Sequence, residues 1–216
     1  MSEDRHSEAE SVELITDPDL KAQREAENGV RQFKHAIELI GQAIVPDAPK
    51  FKLRQSIILQ LHEKALEGIH PLAGTYRNSP VQISKSDHFP PAHTDVPDLV
   101  ADMCDYVNAQ WEEQNAIHLA AYLLWRINWI HPFADGNGRT ARVVSYLVMS
   151  VKLHSVLPGA PAMPDLLANN KDPYYKVLEE SDESWKFGRL ALSGMERLLE
   201  GLLAAQLLSA TNEASH

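Results

Sequence analysis

The chain has 216 residues, 44% of them hydrophobic, a formal net charge of −10 and a single cysteine, Cys104. That apolar content supplies a core for one domain and speaks against global disorder, while the acidic balance argues against binding of nucleic acid or an anionic membrane surface. One cysteine excludes an intramolecular disulfide and a thiolate metal cluster, no apolar run reaches the roughly 18 residues of a membrane span, and the acidic stretch Met1–Glu10 is not a signal sequence, so a cytoplasmic protein is expected.

Residues 1–16 are polar, with only Val12, Leu14 and Ile15 to bury, and read as a flexible leader. Asp17-Pro18 has the form of a helix start, a capping carboxylate followed by proline in the first turn. Leu20, Val30, Phe33, Ile37, Ile40 and Ile44 support a helix over 18–44, with Asn28-Gly29 as an interruption point, and Val45-Pro46-Asp47-Ala48-Pro49 closes this N-terminal arm at 17–50. A second helix over 52–67 opens the main domain, expected over 51–208. The turn signal Asn78-Ser79-Pro80, followed by Val81, Ile83 and Phe89 among polar residues, predicts a short hairpin. His88 and His93 are irregularly spaced among prolines, which favours a loop over a metal site. A helix over 98–108 turns Leu99, Met103, Cys104 and Val107 inward, and a long one over 111–130 carries Ile117, Ala120, Ala121, Leu124 and Ile127 at helical spacing. His118 on that helix reads as packed or solvated.

Pro132 ends the long helix, because the residue before a proline is pushed out of the helical region. The next stretch, His131-Pro132-Phe133-Ala134-Asp135-Gly136-Asn137-Gly138-Arg139-Thr140-Ala141-Arg142, concentrates the chemistry of the chain. Val143, Leu147, Val148 and Val151 resume a helical stripe, so the loop opens into a helix N-terminus, a natural anion site. Gly136 and Gly138 allow close approach. Arg139 and Arg142 share a face of the first turn and suit phosphate oxygens. Asp135 can hold Mg²⁺ together with phosphate, and His131 can accept a proton from a hydroxyl near neutral pH. A dinucleotide fingerprint fits poorly, since a helix precedes the glycines where that fold needs a strand, and the Gly-Lys-Ser/Thr of a Walker loop is missing. The motif helix runs to about Leu153. Pro158, Pro161 and Pro164 break the chain, a short stretch reaches Asn169, and further helices are expected from Lys171 and over 185–208, with 209–216 a free tail.

The twelve-residue run resembles the signature of the Fic (Fic/Doc) family, His-Pro-Phe-x-Asp/Glu-Gly-Asn-Gly-Arg-x-x-Arg, with every specified position present. Doc kinases carry Ala and Lys in place of Gly136 and Gly138, so the resemblance is to the adenylyltransferase (AMPylator) side. It implies an all-α, Fic-like domain of about eight helices with a small β-hairpin flap beside the active loop. The implied reaction moves AMP from Mg-ATP to a Ser, Thr or Tyr hydroxyl of a target protein. His131 would be the base and Asp135 the Mg²⁺ ligand. Gly136, Asn137 and Gly138 would form the anion hole, with Arg139 and Arg142 on the distal phosphates and Phe133 anchoring the loop in the core.

Three further expectations come with the family. An inhibitory helix with Ser/Thr-x-x-x-Glu-Gly/Asn is matched by Gln23-Arg24-Glu25-Ala26-Glu27-Asn28 at Glu27 and Asn28 but not at Gln23, which casts Glu27 as a brake on Arg142; Glu200-Gly201 is a weaker match. Gly74-Thr75-Tyr76-Arg77 resembles the lead-in to the flap, so Thr75, Tyr76, Val81 and Ile83 are candidates for target docking by strand addition. Tyr174-Tyr175 resembles the segment lining the adenine side, where an aromatic face could stack on the base. Removal of AMP from a modified protein, and a nucleotide-binding module without turnover, stand as alternatives. Target, nucleotide preference and oligomeric state, a homo-oligomer included, stay open at this stage.

Overall fold

The computed structural model describes Arg5, Ser7, Glu8 and residues 14–213. The two most apolar periodic stretches form its centre. Helix α4 (Ala116–Ile130) buries eleven of its fifteen residues, and α5 (Asn137–Lys152) buries twelve of sixteen. A helix buried on nearly all sides belongs in a core rather than at its edge. The two pack against each other, with the Ser145 hydroxyl donating to Ala120 O across the seam at 2.9 Å, and the signature loop joins them.

The remaining helices surround this pair. Helix α1 (Pro18–Ala43) starts where Asp17 accepts hydrogen bonds from the N–H groups of Asp19 and Leu20, and packs on α2 (Gln55–Leu66) and α5. It runs unbroken through Asn28-Gly29, against expectation. The physical reason is that Asn28 faces inward, its Nδ2 donating to Ala65 O (3.3 Å) and Glu67 O (2.8 Å), while Gln32 Nε2 reaches Leu61 O at 3.1 Å. Asn28 thereby satisfies carbonyls at the C-terminal end of α2, which a helix leaves without intrahelical partners, while Gln32 adds a second bond to a carbonyl one turn earlier. Helices α3 (Val96–Ala109), α6 (Met163–Asn169), α7 (Lys171–Trp185) and α8 (Ser193–Glu213) complete the shell. The last helix therefore begins eight residues later than expected and continues through the expected tail to Glu213, with 214–216 outside the described residues.

The expected hairpin takes a different form. Residues 82–83 form a two-residue strand, β2 (Gln82–Ile83), but its partner is β1 (Ser7–Glu8), paired antiparallel with Ser7 opposite Ile83 and Glu8 opposite Gln82. The leader supplies the second strand. Of the expected flexible leader over 1–16, the parts described besides this strand are Arg5 and Leu14–Thr16.

Two buried groups carry no function that the fold requires of them. Cys104 is 4% exposed, and burial pushes its thiol up to about 12, which leaves it inert. Arg126 is 8% exposed, with its guanidinium 4.3 Å from the Trp129 ring centre and 5.1 Å from that of Trp185, a desolvated cation held by aromatic faces. Among the described residues no helix is long and apolar enough to cross a membrane.

Candidate active site

His131 closes α4 in the left-handed region (φ 51°, ψ 59°), with its N–H on Ile127 O at 2.9 Å. A non-glycine residue there is strained and must be held by its surroundings. Arg77 holds it. The buried guanidinium donates from Nε to His131 O (2.8 Å), from Nη1 to Ser79 O (3.2 Å) and from Nη2 to Pro91 O (2.5 Å), and the Arg77 N–H reaches Pro132 O at 2.9 Å. One side chain thus ties the signature loop to both ends of the flap segment.

The rest of the loop is fixed from within. Phe133 is fully buried and stacks on His62, ring centres 3.7 Å apart and planes 5° apart. Asn137 Oδ1 accepts from Phe133 N (2.9 Å) while its Nδ2 donates to Phe133 O (2.8 Å), so the amide folds the loop back on its own backbone. His62 Nδ1 accepts from Gly74 N at 3.0 Å, which leaves its Nε2–H to donate to Asp135 O, also at 3.0 Å. Gly136 caps α5 at φ 76°. Among the described residues no side chain caps α5, and its first turn lines the cavity, where its N–H groups suit an anion.

The charges follow this frame. His131 is 6% exposed, and burial lowers its pKa from 6.5 to about 4, with the Asn128 carbonyl opposing. Its Nδ1 lies 3.2 Å from Asn128 O, so Nδ1 carries the hydrogen and Nε2 offers its lone pair. That Nε2 is 2.8 Å from the Ser7 hydroxyl. Asp135 accepts from Gly136 N at 2.6 Å and pairs with Arg139 at 3.3 Å, and Arg139 also meets Glu25 at 3.4 Å. Arg142 makes no ion pair among the described residues, and burial lowers its pKa from 12.5. A guanidinium desolvated without a carboxylate is a preformed anion site. His131, Asp135, Gly136, Asn137, Gly138, Arg139 and Arg142 line one cavity of about 900 Å³, with Lys21 and Glu25 on the α1 side and Tyr174 and Tyr175 on the α7 side.

The helical phase corrects one expectation. Glu27 lies away from Arg142, 3.6 Å from Arg24 and 3.9 Å from Arg31 on the outer face of α1. With Asn28 turned into the α2 interface, the preceding residue points outward, and Glu25 is the α1 carboxylate that reaches a signature arginine. Asn137 contributes its side chain to loop closure and to the Ser7 hydroxyl, 3.2 Å from Nδ2. In the flap, Ile83 carries the strand pairing and Val81 is buried. Tyr76 donates its hydroxyl to Gln55 at 2.8 Å, and the Thr75 hydroxyl turns back to Leu72 O at 3.0 Å. Tyr174 is 2% exposed and its hydroxyl accepts from Asn128 at 2.9 Å, whereas Tyr175 bears the Arg5 guanidinium 4.5 Å from its ring centre. His62, Arg77, Asn128, Glu25 and Ser7 complete the site without having been singled out in the sequence. A polar residue at the inward phase of α2 was the available signal for His62; the other four become visible only in three dimensions.

Among the described residues, no group of three or more His, Cys, Asp or Glu could hold a resident metal. The single carboxylate of Asp135, beside open N–H groups and two arginines, fits instead a Mg²⁺ ion that shares its ligands with a polyphosphate.

Residues 52–149 match the family model described as "Fic/DOC family". A protein adenylyltransferase Fic from Nematostella vectensis is 27% identical over 183 residues, covering 82% of this chain and 40% of the relative. The protein adenylyltransferase fic-1 of Caenorhabditis briggsae is 35% identical over 94 residues, 43% of this chain and 18% of the relative. The chain thus spans less than half the length of these curated relatives. Among solved structures, a Fic family protein from Desulfovibrio desulfuricans G20 superposes with a TM-score of 0.67 at 19% identity, covering 94% of this chain and 56% of that one. Fic-1 (residues 134–508) of C. elegans gives 0.69 at 20%, with 93% and 54% covered. Residues 52–149 are thus similar to the Fic/DOC family and contain its complete signature, and the helical architecture is the Fic fold.

Proposed function

We propose that this chain is a protein adenylyltransferase that moves AMP from ATP to a protein hydroxyl, under restraint by a carboxylate of α1. The observation that carries the reading is one cavity holding a half-buried guanidinium with no ion pair among the described residues, a helix N-terminus without a side-chain cap and a neutral histidine with its lone pair inward. The names of the relatives, protein adenylyltransferase Fic, support the same class.

Each residue then has a defined task. His131 Nε2 accepts the proton of the attacking hydroxyl, and a positioned base of this kind contributes roughly 10²–10⁴-fold. Arg142 and the first-turn N–H groups of α5 bind the phosphates and stabilise charge on the leaving pyrophosphate. Asp135, released from Arg139, would hold Mg²⁺, which when bound neutralises charge between phosphate oxygens. Tyr175 flanks the nucleoside side of the cavity and β2 receives the target segment through main-chain hydrogen bonds. Glu25 keeps Arg139 engaged with a carboxylate in place of phosphate, so the restraint assigned by motif to Glu27 passes to Glu25.

Labelled ATP tests the scheme directly. Protein-bound label should come from ATP labelled at the α-phosphate and not at the γ-phosphate, vanish in His131→Ala, rise in Glu25→Gly and stay unchanged in Glu27→Gly. Label arriving from the γ-phosphate would make the reaction phosphorylation and end this assignment. A rise in Glu27→Gly without one in Glu25→Gly would return the brake to Glu27.

A further inference from the structure

We propose that Ser7 is itself a modification site, the hydroxyl that this active site adenylylates in cis. The inference rests on the adenylyl-transfer reading above and adds to it a nucleophile within the chain.

The Ser7 hydroxyl occupies the position that the mechanism requires of an acceptor. It lies 2.8 Å from His131 Nε2, and because His131 Nδ1–H faces the Asn128 carbonyl, the Ser7 O–H must donate to that lone pair. Asn137 Nδ2 donates to the same oxygen at 3.2 Å, which fixes its direction. A hydroxyl whose O–H already donates to the base and whose oxygen lines the phosphate cavity is near its attack geometry.

The backbone explains why Ser7 holds this place. Ser7 pairs with Ile83 and Glu8 with Gln82, so the leader adds a strand to the edge where target docking was expected. Slipping this register by one residue would turn the Ser7 side chain to the opposite face. Arg5 secures the other end: its N–H donates to the Tyr175 hydroxyl at 3.3 Å, and its guanidinium lies over the Tyr175 ring and pairs with Glu179. The segment is therefore held on both sides of the reacting oxygen, by β2 and by α7.

The step balances without a further reagent. The Ser7 proton passes to His131 Nε2, a bond forms between Oγ and the α-phosphorus of ATP, and the bond from that phosphorus to the bridging oxygen of the β-phosphate breaks. Pyrophosphate leaves with both electrons of that bond, and His131 returns its proton to solvent. The product is an AMP phosphodiester on Ser7. An unmodified leader also excludes foreign segments from β2 while it lies there.

The full chain should be incubated with Mg-ATP, alone and in a Glu25→Gly background, and followed by intact mass, peptide fragmentation and pyrophosphate release. One adenylyl group on Ser7 is expected, lost in Ser7→Ala and in His131→Ala, retained in Ser7→Thr, and formed with a rate constant that does not change on tenfold dilution. An adduct on another residue that survives Ser7→Ala overturns the Ser7 assignment and leaves adenylyl transfer standing. So does His131-dependent pyrophosphate release without modification of Ser7, and a rate that falls with dilution overturns reaction in cis. No adduct and no His131-dependent pyrophosphate in either background removes the Ser7 site together with the reaction it rests on.

Discussion

Gly136 answers two constraints at once. Its φ of 76° lies in the left-handed region, and a Cβ there would sit 2.4 Å from Leu66 Cδ2. Leu66 is fully buried, so its methyl has little room to withdraw. Left-handed backbone costs a side-chain-bearing residue roughly 1–2 kcal/mol, and overpacking a core adds about 1–3 kcal/mol. Gly136→Ala should therefore lower unfolding stability by about 2–5 kcal/mol and displace the start of α5, measured by urea denaturation alongside ATP binding. An Ala variant as stable as the native chain would mean that the loop relaxes into another conformation. Gly138 is a milder case, since its Cβ would come 3.3 Å from the Arg142 guanidinium without backbone strain. At this scale the sequence was informative, because each signature residue meets a local requirement of its own. Proline was expected to push His131 out of the helical region, and it does so, with Arg77 holding the residue in the left-handed conformation.

At the scale of elements, the α1–α2 contact shows what periodicity leaves out. A stripe of apolar residues announces a helix, but Asn28 and Gln32 are polar residues on the buried stripe, and Asn28-Gly29 therefore resembled a break. The signal that explains them, backbone carbonyls of another helix within reach, is absent from the local sequence. The same blindness misplaced the carboxylate that reaches a signature arginine, since the inward phase of Asn28 is what sends Glu27 outward and leaves Glu25 on the cavity. Asn28 is fully buried, so Asn28→Ala removes the donor to two carbonyls, a loss of roughly 1–3 kcal/mol. Its own Oδ1 has no partner, and deleting that orphan offsets part of the loss, so a net change of about 1 kcal/mol is expected. Asn28→Asp should cost more, because it sets a carboxylate against the same carbonyls. Chemical denaturation of both variants checks the order. Equal stability for the two would show that water reaches this interface.

For the whole molecule, the succession of helices was legible because apolar periodicity is a property of each segment. The leader's pairing with β2 was not, because two residues on either side carry no period and the contact joins Ser7 to Ile83, far apart in the chain. The two buried histidines are likewise a property of the assembled fold. His131 and His62 flank the signature loop, and burial lowers each from 6.5 to about 4. The folded state therefore holds both neutral while the unfolded chain protonates them, and stability rises with pH wherever the unfolded chain binds more protons. The contribution is complete above about 6.5, is lost as pH falls from there to about 4, and does not change further below that. By pH 5.5 the loss is about 1.4 kcal/mol per histidine, taken from an unfolded value of 6.5. Most carboxylates remain ionised in that range, so the histidines dominate the slope. Unfolding free energies compared at pH 7.5 and 5.5 should differ by about 3 kcal/mol in the native chain, about half that in His62→Asn or His131→Ala, and little in the double variant. A slope that survives removal of both histidines would assign the acid sensitivity to other groups and require both rings to bind protons as readily folded as unfolded.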